Sequence, residues 1–359
     1  MAFGDVDPQE VLDHEGIDYR ETSGSSGDQL NVKECPNCGD SNWKVYLNAE
    51  TGYGVCFKCD TTYNIWTFMC DVLGTADKKV VGKFFSQIAG DTGFKPKKVA
   101  KVHVDVEVPE AVFPLSFSLP YSSGRNIDYL QDRGISGEYA ARFKLRHCMM
   151  GHHTYQKDGK EVRQKFDDRI IIPVLDLDGE LVSFQGRDIT GDSDRKYLFP
   201  AQLPATGRFL YNGHEAKALR AKEVIMCEGA FDVIPTAIAI DQFDEMRGVV
   251  PIGSFGKHLS TGTVDRPGQL EALYQLKQKA ALKKVTIMWD GEPNALRSAL
   301  DAAGQIKALG IEVSIALLPP GKDPNEVDAY EIYRAWKDAT PYSKLLAVRW
   351  ITRNPYDQT

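Results

Sequence analysis

"VIMCEGAFDV", residues 224–233, runs four apolar residues into Glu228 and Gly229, with Asp232 four positions after the glutamate. An unbroken apolar run of this length suits a strand buried on both faces, and the glycine at its end leaves room for a close backbone approach. A second stretch, "VTIMWDGEPN" at 285–294, ends the same way on Asp290, Gly291 and Glu292. From residue 222 onward the apolar segments "EVIMC", "GVVPI", "KVTIMW" and "VSIALLP" alternate with helical ones such as "QLEALYQLKQKAAL" and "ALRSALDAAGQIKAL". That alternation predicts an α/β segment built from βαβ units around a largely parallel sheet. Ligands of open α/β sheets gather beyond the carboxyl ends of the strands, which puts Glu228 and Asp290 on one rim.

The rim is acidic but sparse. Asp290 and Glu292 flank one glycine, Glu228 and Asp232 come from the other strand end, and Asp323 in "LPPGKDPNEV" follows a third strand. Magnesium binds a few carboxylates, keeps several waters and takes substrate phosphates as its remaining ligands, so such a rim suits phosphoryl transfer. A lone Asp-Gly is commonly only a turn. Recurrence at successive strand ends argues for the metal reading.

Upstream, "RIIIPVLDLDGELVSFQGR" at 169–187 predicts a hairpin with its turn at Asp178 and Gly179, and the Ile170–Ile172 run predicts burial on both faces. Further upstream, Cys35-x2-Cys38 and Cys56-x2-Cys59, with 17 residues between the inner cysteines, have the spacing of a zinc ribbon with four thiolate ligands. Tyr46, Tyr53, Phe57, Lys44 and Lys58 lie around them. They suit either an aromatic and basic face for single-stranded nucleic acid or the small core of the module. Cys70, Cys148 and Cys227 have no paired partner in sequence and read as buried apolar fillers. Residues 76–101 hold seven lysines, Lys97 and Lys98 among them, against two aspartates. The lysine run reads as a solvated tether or as a phosphate contact between two modules.

Composition narrows the classes. The chain has 359 residues, 42% hydrophobic and 26% charged, with no apolar run long enough to span a bilayer. "MAFGDVDPQE" has neither a basic nor an apolar leader region, which predicts a cytoplasmic protein. A net charge of −7 argues against nucleic-acid binding by bulk positive potential and points to local basic regions. "GSFGKH" at 253–258 has the wrong spacing for a P-loop and reads as a turn after "GVVPI", which argues against helicase activity. His152 and His153 read as residues of an exposed loop.

The order of a four-cysteine ribbon, "RIIIPVLDLDGELVSFQGR", "KYL", "EGAFDV", "DGE" and "GKDPNEV" resembles the DnaG-type primases, in the bacteriophage-like form with four cysteines, over roughly residues 30–330. The resemblance implies a zinc-ribbon template-binding domain at 1–75, a basic flexible linker at 76–112, a mixed α+β N-terminal subdomain of the RNA polymerase core at 113–218, a TOPRIM α/β subdomain at 219–336, and a C-terminal helix and tail at 337–359. It implies one structural Zn2+ on Cys35, Cys38, Cys56 and Cys59, and catalytic Mg2+ on Glu228, Asp290, Glu292 and Asp323, with Asp232 also in the site. Arg169, Arg187 and Lys196 match positions that face the active-site groove. Lys44, Tyr46, Lys58, Lys97 and Lys98 are the nucleic-acid contacts expected on this chain. Two departures stand out: the second carboxylate of the family's Asp-x-Asp is Glu292, and the last residue of its Asp-Pro-Asp is Asn325.

The activity implied is synthesis of short RNA primers on single-stranded DNA from ribonucleoside triphosphates. A replicative helicase and a DNA polymerase would be further partners, and the setting would be the host cytoplasm for a phage-encoded chain. A ribbon-plus-TOPRIM recombination mediator without polymerase activity is the alternative, but it has no use for the intervening hairpin domain.

Overall fold

Asp7 and Pro8 open the first helix, Pro8–His14, as their residue types favour: the Asp7 carboxylate accepts the Gln9 N–H at 2.9 Å, and Pro8 sits where its missing N–H costs nothing. After it come five short antiparallel strands in sequential order, β1 (Tyr19–Gly24), β2 (Gly27–Val32), β3 (Val45–Asn48), β4 (Gly54–Cys56) and β5 (Thr62–Tyr63). Val45 and Leu47 of β3 face a core shared with Leu30, Val32, Phe68 and Met69, while Tyr46 and Asn48 point the other way. The computed structural model describes residues 7–24, 27–59, 61–75, 77–91, 110–157, 159–260, 262–263 and 266–357. It resolves two compact units, Met1–Glu107 and Val108–Thr359.

Residues Lys78–Asp91, inside the span read as a flexible linker, form a helix. Its Val81, Phe85 and Ile88 are spaced i, i+4, i+7 and buried in the first unit's core, and Phe85 stacks on Trp66 with ring centroids 5.5 Å apart. The lysines obscured this apolar stripe. Residues 92–109, with Lys97 and Lys98, lie outside the described residues.

The second unit holds two five-stranded sheets. In the first, β6 (Phe117–Ser118), β7 (Arg146–Cys148), β10 (Arg169–Leu175), β11 (Leu181–Asp188) and β12 (Tyr197–Leu198) run antiparallel in the order β12-β11-β10-β7-β6, and β8 (His152–Lys157) and β9 (Lys160–Lys165) form a separate hairpin. Every residue of β10 is buried, as the isoleucine run predicted. Its turn is longer than the two-residue one expected: Asp176 Oδ1 accepts the N–H groups of Asp178 and Glu180, and Gly179 takes φ +89°. His152 and His153 are on β8, not in a loop. His153 is buried, lies edge-on to Phe184, and makes a 3.0 Å hydrogen bond with the Ala201 carbonyl.

The other sheet comprises β13 (Glu223–Cys227), β14 (Val249–Gly253), β17 (Lys284–Ile287), β18 (Glu312–Ile315) and β19 (Thr340–Pro341), with the small pair β15 (Gly262–Thr263) and β16 (Arg266–Pro267) outside it. The order is β14-β13-β17-β18-β19, parallel except for β19. Alternate residues of β13 enter two cores: Ile225 and Cys227 pack with Ile170, Ile172 and Phe231, whereas Val224 and Met226 pack with Leu273, Leu276 and Leu296. This is how a continuous apolar run serves a parallel strand covered on both sides. Because the first of these cores draws on both sheets, the boundary near 218 separates sheets and not independently packed bodies. After the helix Lys344–Thr352, the segment expected to be a polar tail is pinned: Tyr356 is buried and donates its hydroxyl to the Leu318 carbonyl at 3.0 Å. Among the described residues no helix is long and apolar enough to cross a membrane.

Candidate active site and metal centre

In the first unit, Cys35 and Cys38 lie in the loop after β2, Cys56 ends β4, and Cys59 lies in the turn before β5. Each pair is shaped by a tight turn: the Gly39 N–H donates to the Cys35 carbonyl at 2.8 Å with Gly39 at φ +68°, and the Lys58 N–H points at Cys56 Sγ at 3.4 Å. The four sulfurs all lie within 4.8 Å of one another, and Cys35 and Cys59 Sγ are 3.8 Å apart. Thiolates about 2.3 Å from a tetrahedral zinc would be separated by about 3.8 Å, so the cluster fits that ion. Burial opposes ionisation of Cys59, yet the Thr61 hydroxyl and backbone and the Asn37 amide outweigh it and hold the thiol down to about 6.

Tyr46 and Phe57 meet edge to face at 5.4 Å on the outer side of this sheet, and Phe57 and Tyr53 are 64% and 66% exposed. Lys44 and Lys58 are exposed nearby in sequence. The core of the unit is built from Val45, Leu47, Phe68 and their neighbours and not from these aromatics. Arg20 adds a guanidinium 4.9 Å above the Trp43 ring. Cys148 and Cys227 are buried as expected, and Cys70 is half-buried.

In the second unit the acidic residues come from the ends of adjacent parallel strands: Glu228 follows β13, Asp290 follows β17, and Asp323 follows β18. Backbone stitching fixes the last two. Gly291 N–H donates to the Lys322 carbonyl and Gly321 N–H to the Gly291 carbonyl, both at 2.8 Å. A Cβ on Gly291 would lie 2.2 Å from the Pro319 oxygen, so this position admits only glycine. Gly229 also has a local task. Its N–H donates to Asp232 Oδ2 at 2.7 Å, which caps the helix Ala230–Gln242 and holds the Asp232 carboxylate inside the rim.

Electrostatics mark these groups as short of positive charge. Burial, then the charge of Asp290, pushes Glu228 up to about 8, and burial with Asp323 and Asp290 pushes Asp232 up to about 8. Asp290 and Asp323 are also raised, burial being the main cause. Glu228 Oε2 is buried without a hydrogen-bond partner, as is Asn325 Oδ1. Among the described residues only the cysteines bring three or more such ligand atoms within 4.8 Å of one another. The more open rim fits a cation that keeps waters and takes phosphate ligands.

A pH dependence follows. Both carboxyls have folded-state values far above the roughly 4 of an unfolded chain. Their stabilising contribution is therefore full below about pH 4 and is lost as pH rises through about 8. In buffer without divalent cation, the thermal midpoint of the second unit should fall by about 5 °C or more between pH 6 and 8.5, and saturating magnesium should remove most of the fall. A calorimetric midpoint that is flat across this range would contradict the assignment.

The basic residues separate into distinct roles. Arg187 is buried, donates to the Tyr197 hydroxyl at 2.6 Å, and lies over the rings of Tyr129, Tyr197 and Phe231; its Nε has no partner. Lys196 is exposed, and its charge acts on Asp232 and Asp323. Arg169, expected in the groove, is instead a buried clamp: Nη1 donates to the Gly186 and Arg195 carbonyls and Nη2 to Ser193 Oγ, which fastens the loop ahead of Lys196. Glu292 is 52% exposed and pairs with Lys257 at 3.2 Å, while Lys257 Nζ is 3.9 Å from Glu228 Oε2. Lys257 and Tyr197 were missed as site residues from the sequence. Lys257 stands in "GSFGKH", just past the end of β14, where the strand-end rule that found Glu228 would also have found it.

The family model for the DNA primase catalytic core, N-terminal domain, matches residues 148–217. The chain is 25% identical over 329 residues to a DNA primase of Geobacillus stearothermophilus, covering 81% of this chain and 52% of that one. It is also 25% identical over 322 residues to a DNA primase of Deinococcus radiodurans, with the same two coverages. It thus spans about half the length of these curated relatives. A DNA primase domain from Pseudomonas aeruginosa superposes with TM-score 0.50 at 22% identity, over 63% of this chain and 75% of that one, a likeness of fold. The matched family segment is the hairpin sheet that carries Arg187, Lys196 and Tyr197, and the alignments extend well beyond it in a chain that also has the cysteine cluster, so the chain is similar to DNA primases over most of its length.

Proposed function

We propose that this chain is a DNA primase, with a zinc ribbon and an RNA polymerase core, that makes short RNA primers on single-stranded DNA. The observation that carries this reading is the delivery of Glu228, Asp290 and Asp323 to one rim by three adjacent parallel strands, in a chain that aligns with DNA primases. Zinc held by Cys35, Cys38, Cys56 and Cys59 orders the ribbon. The outward Tyr46 and Phe57, with Lys44 and Lys58, offer stacking surfaces and phosphate contacts to the template. Lys97 and Lys98 are further phosphate contacts in the same proposal.

Magnesium held by Glu228, Asp290 and Asp323 would supply charge neutralisation for the triphosphate and for the departing pyrophosphate. Lys196 and Arg187 stabilise charge that grows on the phosphate oxygens as the 3′ hydroxyl attacks the α-phosphorus. Arg187 suits this role because Tyr197 and the rings beneath it fix the guanidinium before substrate arrives. Glu228 orients that hydroxyl and accepts its proton. Asp232 holds the first turn of its helix in place beneath the site. Within this reading the template, ribonucleoside triphosphates and nascent primer meet at the rim, a replicative helicase supplies single strands, and a DNA polymerase extends the product in the cytoplasm.

The test incubates the chain with single-stranded DNA, magnesium and labelled ribonucleotides. Short RNA products that require both DNA and magnesium are expected. DNA binding with no RNA product would favour the recombination mediator instead.

A further inference from the structure

Lys257 is aimed at the rim by a loop whose geometry is otherwise hard to account for. Phe255 takes φ +54°, a region that side-chain-bearing residues rarely occupy, and Gly256 takes φ +136°. The turn is held by Gly256 N–H donating to the carbonyl of Glu228 itself at 3.0 Å, and by the Ser254 hydroxyl, which lies 3.1 Å from the Cys227 carbonyl and 2.8 Å from that of Gly256. Phe255 is buried against Phe199 and Tyr211. The side chain that emerges is only 19% exposed and ends 3.2 Å from Glu292 and 3.9 Å from Glu228. A surface lysine would need none of this support. Backbone strain persists where the surroundings over-determine it, commonly at functional sites.

We propose that Lys257 is a tethered cation occupying the Glu228 side of the rim, so that a divalent ion must displace it, and that Glu292 is the residue that keeps the displaced amine. The inference rests on the rim being a cation site. A divalent ion bound at Glu228 and an ammonium 3.9 Å from the same oxygen repel each other, and the four-carbon stem lets the amine withdraw toward the half-exposed Glu292. Glu292 thus serves the lysine and is not itself a metal ligand. Lys257 then sets how much divalent cation the site requires.

Manganese binding to the zinc-loaded full chain, without nucleotide or DNA, tests this by electron paramagnetic resonance of the free ion. Removing the competitor in Lys257→Met should tighten manganese binding at the rim about tenfold, the scale of a typical coupling between two ligands. Lys257→Arg, which keeps the charge, should bind close to wild type. Lys257→Met/Glu292→Gln should bind as tightly as Lys257→Met, and Asp290→Asn marks which binding belongs to the rim. Unchanged or weaker binding by Lys257→Met overturns the proposal, as does loss of the gain in the double variant or absence of rim binding in every version. Since the readout is affinity, a chain that makes no primers but shows this pattern would retain the inference and lose the functional reading.

Discussion

An Asp290→Asn chain is expected to make RNA primers on the order of 10²–10³-fold more slowly than the unaltered protein, while being at least as stable without divalent cation. The two halves of this expectation have one cause. Asparagine matches aspartate in shape, and the backbone bonds of Gly291 that hold the loop do not involve the side chain at 290. What disappears is a negative charge that raises the proton affinity of both Glu228 and Asp232. Losing it relieves repulsion in the resting rim and, on the function proposed above, removes one of the carboxylates that would hold the cation. Primer yield and a thermal scan in cation-free buffer distinguish this from damage to the fold: a large fall in both would make Asp290 structural.

Removal of zinc is expected to unfold the first unit and leave the second intact. Cys35 and Cys56 are fully buried in the same core as Val45, Leu47 and Phe68, so the metal centre is part of the packing. The strands that carry its second half are three and two residues long, too short to maintain their pairing unaided. Structural zinc contributes about 10–16 kcal/mol in small metal-bound modules, comparable to or larger than the roughly 5–15 kcal/mol net stability of a typical domain. The second unit has its own cores on both faces of β13 and should not depend on the metal. Limited proteolysis after chelation, or of a Cys56→Ser chain, should digest the first unit and spare the second. A protease-resistant first unit without zinc would refute this.

Legibility in the sequence followed the strength of local pattern. The parallel strands could be read because burial on both faces leaves an unmistakable apolar run, and the cysteine spacing could be read because tetrahedral thiolate geometry demands it. In Lys78–Asp91 the charge density masks the apolar spacing of Val81, Phe85 and Ile88 that makes the segment a packed helix. Arg169 matched a groove position by motif, but side-chain direction is decided by packing, and its donors turn to backbone carbonyls. In "GSFGKH" the spacing departs from a phosphate-binding loop, and the informative property of Lys257 is its place beyond β14. Nothing local in "KYL" foretold that Tyr197 would hold Arg187, a contact made only when β12 pairs with β11.

The main-chain stitch between Gly291 and the loop at 319–322 has a consequence for sequence change at the rim. Since peptide groups, and not carboxylates, set the spacing between the β17 and β18 edges, the side chains at 292 and 325 are free to drift without shifting Asp290 or Asp323. A rim built this way can exchange one acidic arm for a longer one and another for an amide while its frame stays still, whereas any side chain at 291 would push the two edges apart.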